Sequence, residues 1–229
     1  MNRTYLGHLS QHDPLQGYLQ HDIQQQINGG CSRSTYRVFR LNGSNDVYMY
    51  EDRSTGTKLI GKFFRTSRKQ DAGKADSRLT REFDNLCMMR DSGLTGSPHH
   101  VVRPLGRNYS LNALLVTECC DGELLSEVIL DVIRSGGHGK LYAKLTALAY
   151  FLSSFHNRTA IGVGVDFHED CDYMDSLIER LLKIHAIGDN EARELYWLRD
   201  QWRNQPRMWQ DQKVFVHGDA TPENFMFGH

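Results

Sequence analysis

The sequence predicts an α+β protein of two lobes, a small antiparallel sheet carrying one helix followed by a mostly helical lobe. Three observations carry this. Residues 36–118 hold short alternating runs rich in β-branched and aromatic residues; after Gly122 the periodicity becomes helical; and the strands precede the helices instead of alternating with them. With 229 residues, 39% hydrophobic and 24% charged, the chain has enough apolar material for a core without disulfide staples.

Residues 1–35 are rich in Gln, His and Asn and end in Asn28, Gly29 and Gly30, so they read as an extension with one short helix around Leu15 to Ile27. From Tyr36 the runs TYRVFRL, VYMYED and TKLIGKFF, with a turn at Arg53 to Gly56, predict a three-stranded antiparallel meander. In the third strand a period of two puts Lys58, Ile60, Lys62 and Phe64 on one face and Leu59, Gly61 and Phe63 on the other. Lys62 therefore stands mid-strand among apolar neighbours.

Next, Leu79, Phe83, Leu86 and Cys87 share one helical stripe, with Asp76 or Ser77 as the N-cap and Gly93 as the stop. Glu82 lies at the edge of that stripe. HVVRPLG and NALLVTE read as two further strands that complete a five-stranded sheet. Beyond them Leu141, Leu145, Leu148, Leu152 and Phe155 mark one amphipathic helix, Tyr173, Leu177 and Leu181 a second, and Leu195, Leu198 and Trp202 a third. The expected organisation is an extension over 1–35, a sheet lobe over 36–118 and a helical lobe over 119–229.

Charge and composition exclude several functions. Lys and Arg number 27 against 28 Asp and Glu, a formal net charge of −1, which argues against bulk electrostatic binding of nucleic acid or an anionic membrane. Apolar stretches such as Leu145 to Leu152 fall well short of the ~20 residues of a membrane span, and the first residues lack the apolar core of a signal peptide. A cytoplasmic location is the expectation. Five cysteines with no CxxC pair fit neither a disulfide framework nor a zinc site, and the adjacent Cys119 and Cys120 read as core packing. His99 and His100 show no metal-ligand spacing. His156, at a helix end, reads as a capping or packing residue.

The informative segment is KVFVHGDATPENFMFGH. Val214 to Val216 read as a strand running into His217, Gly218 and Asp219, and Asn224 follows five positions after the Asp, before a second apolar run. A carboxylate on such a loop, spanning 214–227, can accept the proton of a hydroxyl nucleophile, while an Asn oxygen on the same loop can ligate Mg²⁺.

HGD followed by PEN resembles the catalytic loop of the aminoglycoside phosphotransferase and choline kinase superfamily, small-molecule relatives of the protein kinases. Protein kinases usually carry Arg where this chain has Gly218, so the small-molecule branch is the closer likeness. The resemblance extends over residues 36–229 and implies a protein-kinase-like two-lobe fold. It implies that Leu41 to Tyr48 form a phosphate-covering hairpin with Ser44 and Asn45 lining it, that Lys62 contacts the α- and β-phosphates, and that Glu82 pairs with that lysine. It further implies that Leu114 to Gly122 link the lobes, with Thr117 at the back of the pocket and the backbones of Glu118 and Cys120 contacting adenine. Asp219 would then be the catalytic carboxylate, Asn224 a metal ligand and His217 a structural support for the loop. The implied cofactors are ATP and Mg²⁺, and the implied activity is transfer of a γ-phosphoryl group to a hydroxyl of a small molecule.

One part of the family pattern is missing. The second metal-binding Asp, on a hairpin after the catalytic loop, is not among residues 1–229. Without it Mg²⁺ loses a charged ligand, so these residues alone are not expected to be fully active, and the apolar strand Phe225 to Phe227 is expected to have an unpaired edge. The simplest account is a piece of a longer enzyme. A non-catalytic nucleotide-binding or scaffold protein on the kinase fold is the rival, and the pair Asp219 and Asn224 favours the enzyme. Finally, Asp166, Glu169, Asp170, Asp172, Asp175 and Glu179 cluster against Arg180. They either attract a cationic acceptor or cap and solvate the start of a helix.

Overall fold

The computed structural model describes residues 3–28, 34–41, 46–65, 71–216, 218 and 220–228. They divide into two compact units, Met1–Phe151 with Gly218–His229, and Leu152–His217. This division falls inside the helix over residues 138–159.

The first unit is built on a six-stranded antiparallel sheet. Its strands are β1 (Arg3–His8), β2 (Tyr36–Leu41), β3 (Asp46–Asp52), β4 (Lys58–Phe63), β7 (Pro104–Asn108) and β8 (Leu114–Glu118), in the order β1-β2-β3-β4-β8-β7. The meander β2-β3-β4 stands where the alternation of the sequence puts it. The turn between β3 and β4 closes at Gly56, whose φ of 73° is one that glycine adopts without steric cost.

Two departures from the expected lobe share a cause. The sheet has a sixth strand, because β1 pairs with β2 along Arg3↔Leu41 to His8↔Arg37, and residues 14–28 are not a free extension. Helix α1 (Pro14–Tyr18), a π-helical turn (Leu19–Ile23) and α2 (Gln25–Asn28) bury Leu15, Leu19 and Ile23 against Tyr36, Tyr50, Leu59, Leu105, Leu114 and Val116. Leu19 and Ile23 are fully buried. Burying three such side chains contributes roughly 5–9 kcal/mol as an upper bound, comparable to the whole stability of an ordinary domain. A sheet face this apolar needs a cover, and the N-terminal segment supplies it.

The opposite face is covered by α3 (Ala72–Asp91), which buries Ala75 and Leu79 against Ala113 and Leu115, with Phe64, Phe83 and Leu86 packed alongside. Its N-cap is Asp71, whose side chain accepts from the N–H groups of Gly73 and Lys74, not the expected Asp76 or Ser77. Gly93 follows the C-cap with φ 93°, as a stop should. Two short strands, β5 (Thr95–Gly96) and β6 (His99–His100), form a separate ribbon before β7.

After β8 the chain passes through β9 (Glu123–Leu124) into α4 (Leu125–Ser135), which ends at Gly136 in the left-handed region, and then into α5 (His138–Thr159). The final strand β10 (Met226–Phe227) pairs antiparallel with β9, and the Leu125 N–H donates to the carbonyl of Phe225 at 3.0 Å. Phe225 is buried, and the following two residues pair on one side with β9, a hundred residues back in the chain, while β10 remains an edge strand of this two-stranded ribbon.

The second unit holds the end of α5, α6 (Phe167–Lys183) and α7 (Asp189–Arg203). In α6 the buried residues are Phe167, Cys171 and Ile178, while Tyr173 and Leu177 of the expected stripe are exposed. Val214 to Val216 do not form the expected strand. Pairing in this stretch is confined to Asp211–Lys213, which exchange backbone hydrogen bonds with residues 161–165, and the Phe215 N–H donates to the Thr159 hydroxyl. No helix among the described residues is long and apolar enough to cross a membrane.

Asp52, fully buried, ties the first unit together. Its carboxylate accepts from Gln24 Nε2, the Ser34 hydroxyl, the Ser54 N–H and hydroxyl and the Thr55 hydroxyl, at 2.9 to 3.2 Å. Burial pushes its pKa up, but the hydrogen bonds from Ser54, Thr55 and Ser34 together outweigh burial and hold it below the usual carboxylate value. A depressed folded-state pKa stabilises the protein above the unfolded value of ~4, and that stability is lost as pH falls through the lower folded value. Asp52→Asn should therefore lower the melting temperature at neutral pH and flatten its decline below about pH 4. Parallel melting curves for the two proteins across that range would show that the buried carboxylate does not stabilise the fold.

Candidate active site

The alternation of β4 places the first functional side chain. Leu59 packs into the cluster covered by the N-terminal helices, and Lys62, three residues on, points to the other face, where α3 lies. Its Nζ donates to both carboxylate oxygens of Glu82, each at 2.8 Å, and sits 5.0 Å from the Phe64 ring centre. Glu82 comes from the flank of α3 next to the buried stripe of Leu79 and Phe83, where its carboxylate reaches the sheet. The lysine and glutamate side chains remain 26% and 36% exposed, so as a stabilising interaction the pair is worth little, ~0.2–1 kcal/mol. Its effect is positional: the ammonium is held in one place beside the sheet. Next to it, Gly61 leaves room for the Tyr50 ring, which an added Cβ would meet at 2.7 Å.

β8 ends in the segment expected to link the lobes. Thr117 is buried and its hydroxyl donates to the Glu118 carbonyl at 3.1 Å. The Glu118 N–H is committed to the Arg103 carbonyl at 3.0 Å, so toward a ligand this residue's backbone offers its carbonyl, which keeps a second lone pair. The Glu118 side chain turns away to His100 Nε2 at 2.6 Å and the Arg103 N–H at 2.5 Å, with Arg90 at 3.8 Å. Lys58 and Asp121 form an ion pair at 3.3 Å across the same segment. Burial pushes the thiols of Cys119 and Cys120 up, and neighbouring carboxylates add to the shift.

Gly122 is a residue whose importance only the structure discloses. A Cβ there would lie 2.5 Å from the carbonyl oxygen of Phe227, so glycine is what lets β10 pair so closely with β9. This pairing anchors the turn Pro222–Asn224, in which the Asn224 N–H donates to the Thr221 carbonyl at 3.0 Å and its side-chain amide to the Thr221 hydroxyl at 3.2 Å. The amide nitrogen is thereby oriented, and the amide oxygen is the atom suited to a cation.

Of the expected site residues, Lys62 and Glu82 are in direct contact, Glu118 and Cys120 lie on the segment leaving β8, and Asn224 sits on an exposed turn. Ser44, Asn45 and Asp219 lie outside the described residues, as does His217, while Gly218 between the latter two has a φ of 75°. His100 was not expected to take part in any site, and the structure sets its ring against Glu118. In the second unit Asp166 caps α6 through the His168 N–H, Glu169 pairs with Lys213 at 3.3 Å and Asp175 pairs with Arg199. These three acids are engaged in holding their own helix and its neighbours.

The model of the phosphotransferase enzyme family matches residues 25–229. That span takes in the sheet from β2 onward, both members of the ion pair, the Thr117–Gly122 stretch and the segment bearing Asn224, and the α+β architecture is of the kinase-like kind. No curated protein matches the chain significantly.

Gly122→Ala should destabilise the protein by ~1–3 kcal/mol, the usual cost of forcing a methyl into a filled space, measured by denaturant unfolding. Gly228→Ala, where an added Cβ meets nothing, serves as the control and should change little. Equal stability of the two variants would mean that the β9–β10 contact is not held closely in solution.

Proposed function

The chain belongs to the phosphotransferase enzyme family, and on that footing we propose that it moves the γ-phosphoryl group of ATP, with Mg²⁺, to a hydroxyl of a small molecule. The observation that supports this most is the contact of Lys62 with both oxygens of Glu82. A strand lysine held by a helix carboxylate is a fixed positive charge, and polyphosphate oxygens are its natural counter-ions. The donor chemistry also fits: an ammonium for phosphate, the amide oxygen of Asn224 as a hard ligand for Mg²⁺, and the Glu118 carbonyl as an acceptor for the amino group of adenine. Bound there, MgATP supplies the electrophilic phosphorus with its charge partly neutralised.

The chain's own residues divide the remaining work. Lys62 binds and orients the phosphates, and Glu82 keeps its ammonium from swinging into solvent. Ser44 and Asn45 cover the phosphates with backbone N–H groups, the backbones of Glu118 and Cys120 read the purine edge, and Asn224 holds the metal. Asp219 aligns the acceptor hydroxyl and takes its proton as the new bond to phosphorus forms. Recognition of a cationic acceptor would rest on Asp170, Asp172 and Glu179, which make no ion pair among the described residues.

Under saturating MgATP, Asp219→Asn should lower kcat by ~10²–10⁴ and leave nucleotide affinity nearly intact, whereas Lys62→Ala should weaken both. Glu82→Gln should fall between them, because the lysine remains but is no longer held. Unchanged turnover in Asp219→Asn would remove that residue from the mechanism, and nucleotide binding by the wild type without turnover on any hydroxyl acceptor would favour the non-catalytic reading. For the acceptor, Asp170→Asn combined with Asp172→Asn should raise KM several-fold for a cationic substrate, more at low salt, with KM for ATP unchanged. A lower melting temperature with unchanged KM would assign these acids to the helix alone.

A further inference from the structure

We propose that His100, Glu118 and Cys120 form a site for a thiophilic divalent cation of the zinc class, which clips the β5–β6 ribbon to the segment leaving β8. Spacing along the chain gives no sign of it, since the residues lie 18 and two positions apart and belong to no metal motif. The fold brings them together: one ligand atom from each, a ring nitrogen, a carboxylate oxygen and a thiol sulfur, all within 4.8 Å of one another.

The donor set selects the metal. A nitrogen, an oxygen and a sulfur ligand together suit Zn²⁺, with three protein ligands and an open position for water. Mg²⁺ and Ca²⁺ prefer oxygen alone, so this cluster would not compete for the cation assigned to Asn224. His100 Nε2 already faces Glu118 Oε1 at 2.6 Å, and the Arg103 N–H and Arg90 are also disposed around Oε1. Among the described residues these contacts all use Oε1, so the other carboxylate oxygen can take a metal while the Arg103 N–H and Arg90 hold the first in place after His100 turns its Nε2 to the cation.

The charges balance as well. A thiolate and a carboxylate neutralise a divalent cation, while Arg90 is anchored to the Val101 carbonyl at 2.5 Å. As the site fills, the Cys120 thiol releases its proton to solvent, and the His100 ring gives up its Nε2 proton and takes one from solvent on Nδ1, so that the Nε2 lone pair goes to the metal in place of the hydrogen bond to Glu118. The inference is independent of the phosphotransfer reading, because its readout is metal binding itself.

The test uses the full chain, stripped of metal and titrated with Co²⁺ as a spectroscopic probe, then with Zn²⁺ in competition with a chromophoric chelator. One equivalent of Co²⁺ should give a thiolate-to-metal charge-transfer band that Zn²⁺ abolishes, and Zn²⁺ should raise the melting temperature. Cys120→Ser should remove the band, and both it and His100→Ala should weaken Zn²⁺ binding by at least about tenfold. Cys119→Ser should leave both readouts unchanged, and metal-free melting temperatures close to wild type would confirm that the variants are folded. Absence of the band in the wild type, its persistence in Cys120→Ser, its loss in Cys119→Ser, or Zn²⁺ affinity indifferent to His100→Ala would each overturn the proposal.

Discussion

A sheet whose strands carry apolar side chains on both faces persists in water only if both faces are covered, and in this chain each cover comes from a different part of the sequence. The α1–α2 segment closes one face through Leu15, Leu19 and Ile23, and α3 closes the other through Ala75 and Leu79. The position of Lys62 depends on this arrangement. β4 can send Leu59 into one core and Lys62 toward the other layer only because α3 brings a carboxylate to that face at the right height. Removing either cover would leave β4 with no reason to keep its register.

The electrostatics of the first unit follow the same division of labour. Asp52 is out of water and fully satisfied, with five donor groups arranged around it, and its interactions contribute to stability because a buried, unpaired carboxylate would be costly. Lys62 and Glu82 stay partly in contact with water, where an ion pair adds little stability. The phosphate-binding role proposed for Lys62 calls for the second kind of pair. A lysine locked as tightly as Asp52 would have no capacity left for a ligand.

What the sequence disclosed, and what it hid, follows from the length and the partners of each element. The meander β2–β4 was legible because period-two alternation over six or seven residues fixes which face each side chain takes, whereas the pairing of Lys62 with Glu82 was expected from the family resemblance alone. β1 was hidden because RTYLGH is an edge strand with mostly exposed residues and no alternation to read. A short helix around Leu15 to Ile27 was visible, but nothing local says that a sheet face elsewhere needs its Leu15, Leu19 and Ile23. β9 and β10, two residues each, are too short for any periodicity, and their pairing rests on the bare backbone of Gly122. In α6 the apolar residues offered two stripes, and the one through Phe167, Cys171 and Ile178 is buried because its neighbours lie on that side.

The segment from Thr117 to Gly122 shows how one short stretch carries several constraints without conflict. Its backbone and its side chains face different partners. The Glu118 N–H completes the contact with Arg103, its carbonyl retains a lone pair, and its carboxylate is turned to His100 and the Arg103 N–H, so side-chain chemistry on one side leaves the carbonyl available on the other. Two residues later Cys120 adds sulfur to the same side as that carboxylate, and after Asp121 has paired with Lys58, Gly122 gives up its side chain altogether so that β10 can approach. A cation bound by His100, Glu118 and Cys120 would therefore stiffen the stretch through its side chains while its main chain stayed free to read a purine. Metal occupancy and nucleotide recognition, although built on the same residues, would use different atoms.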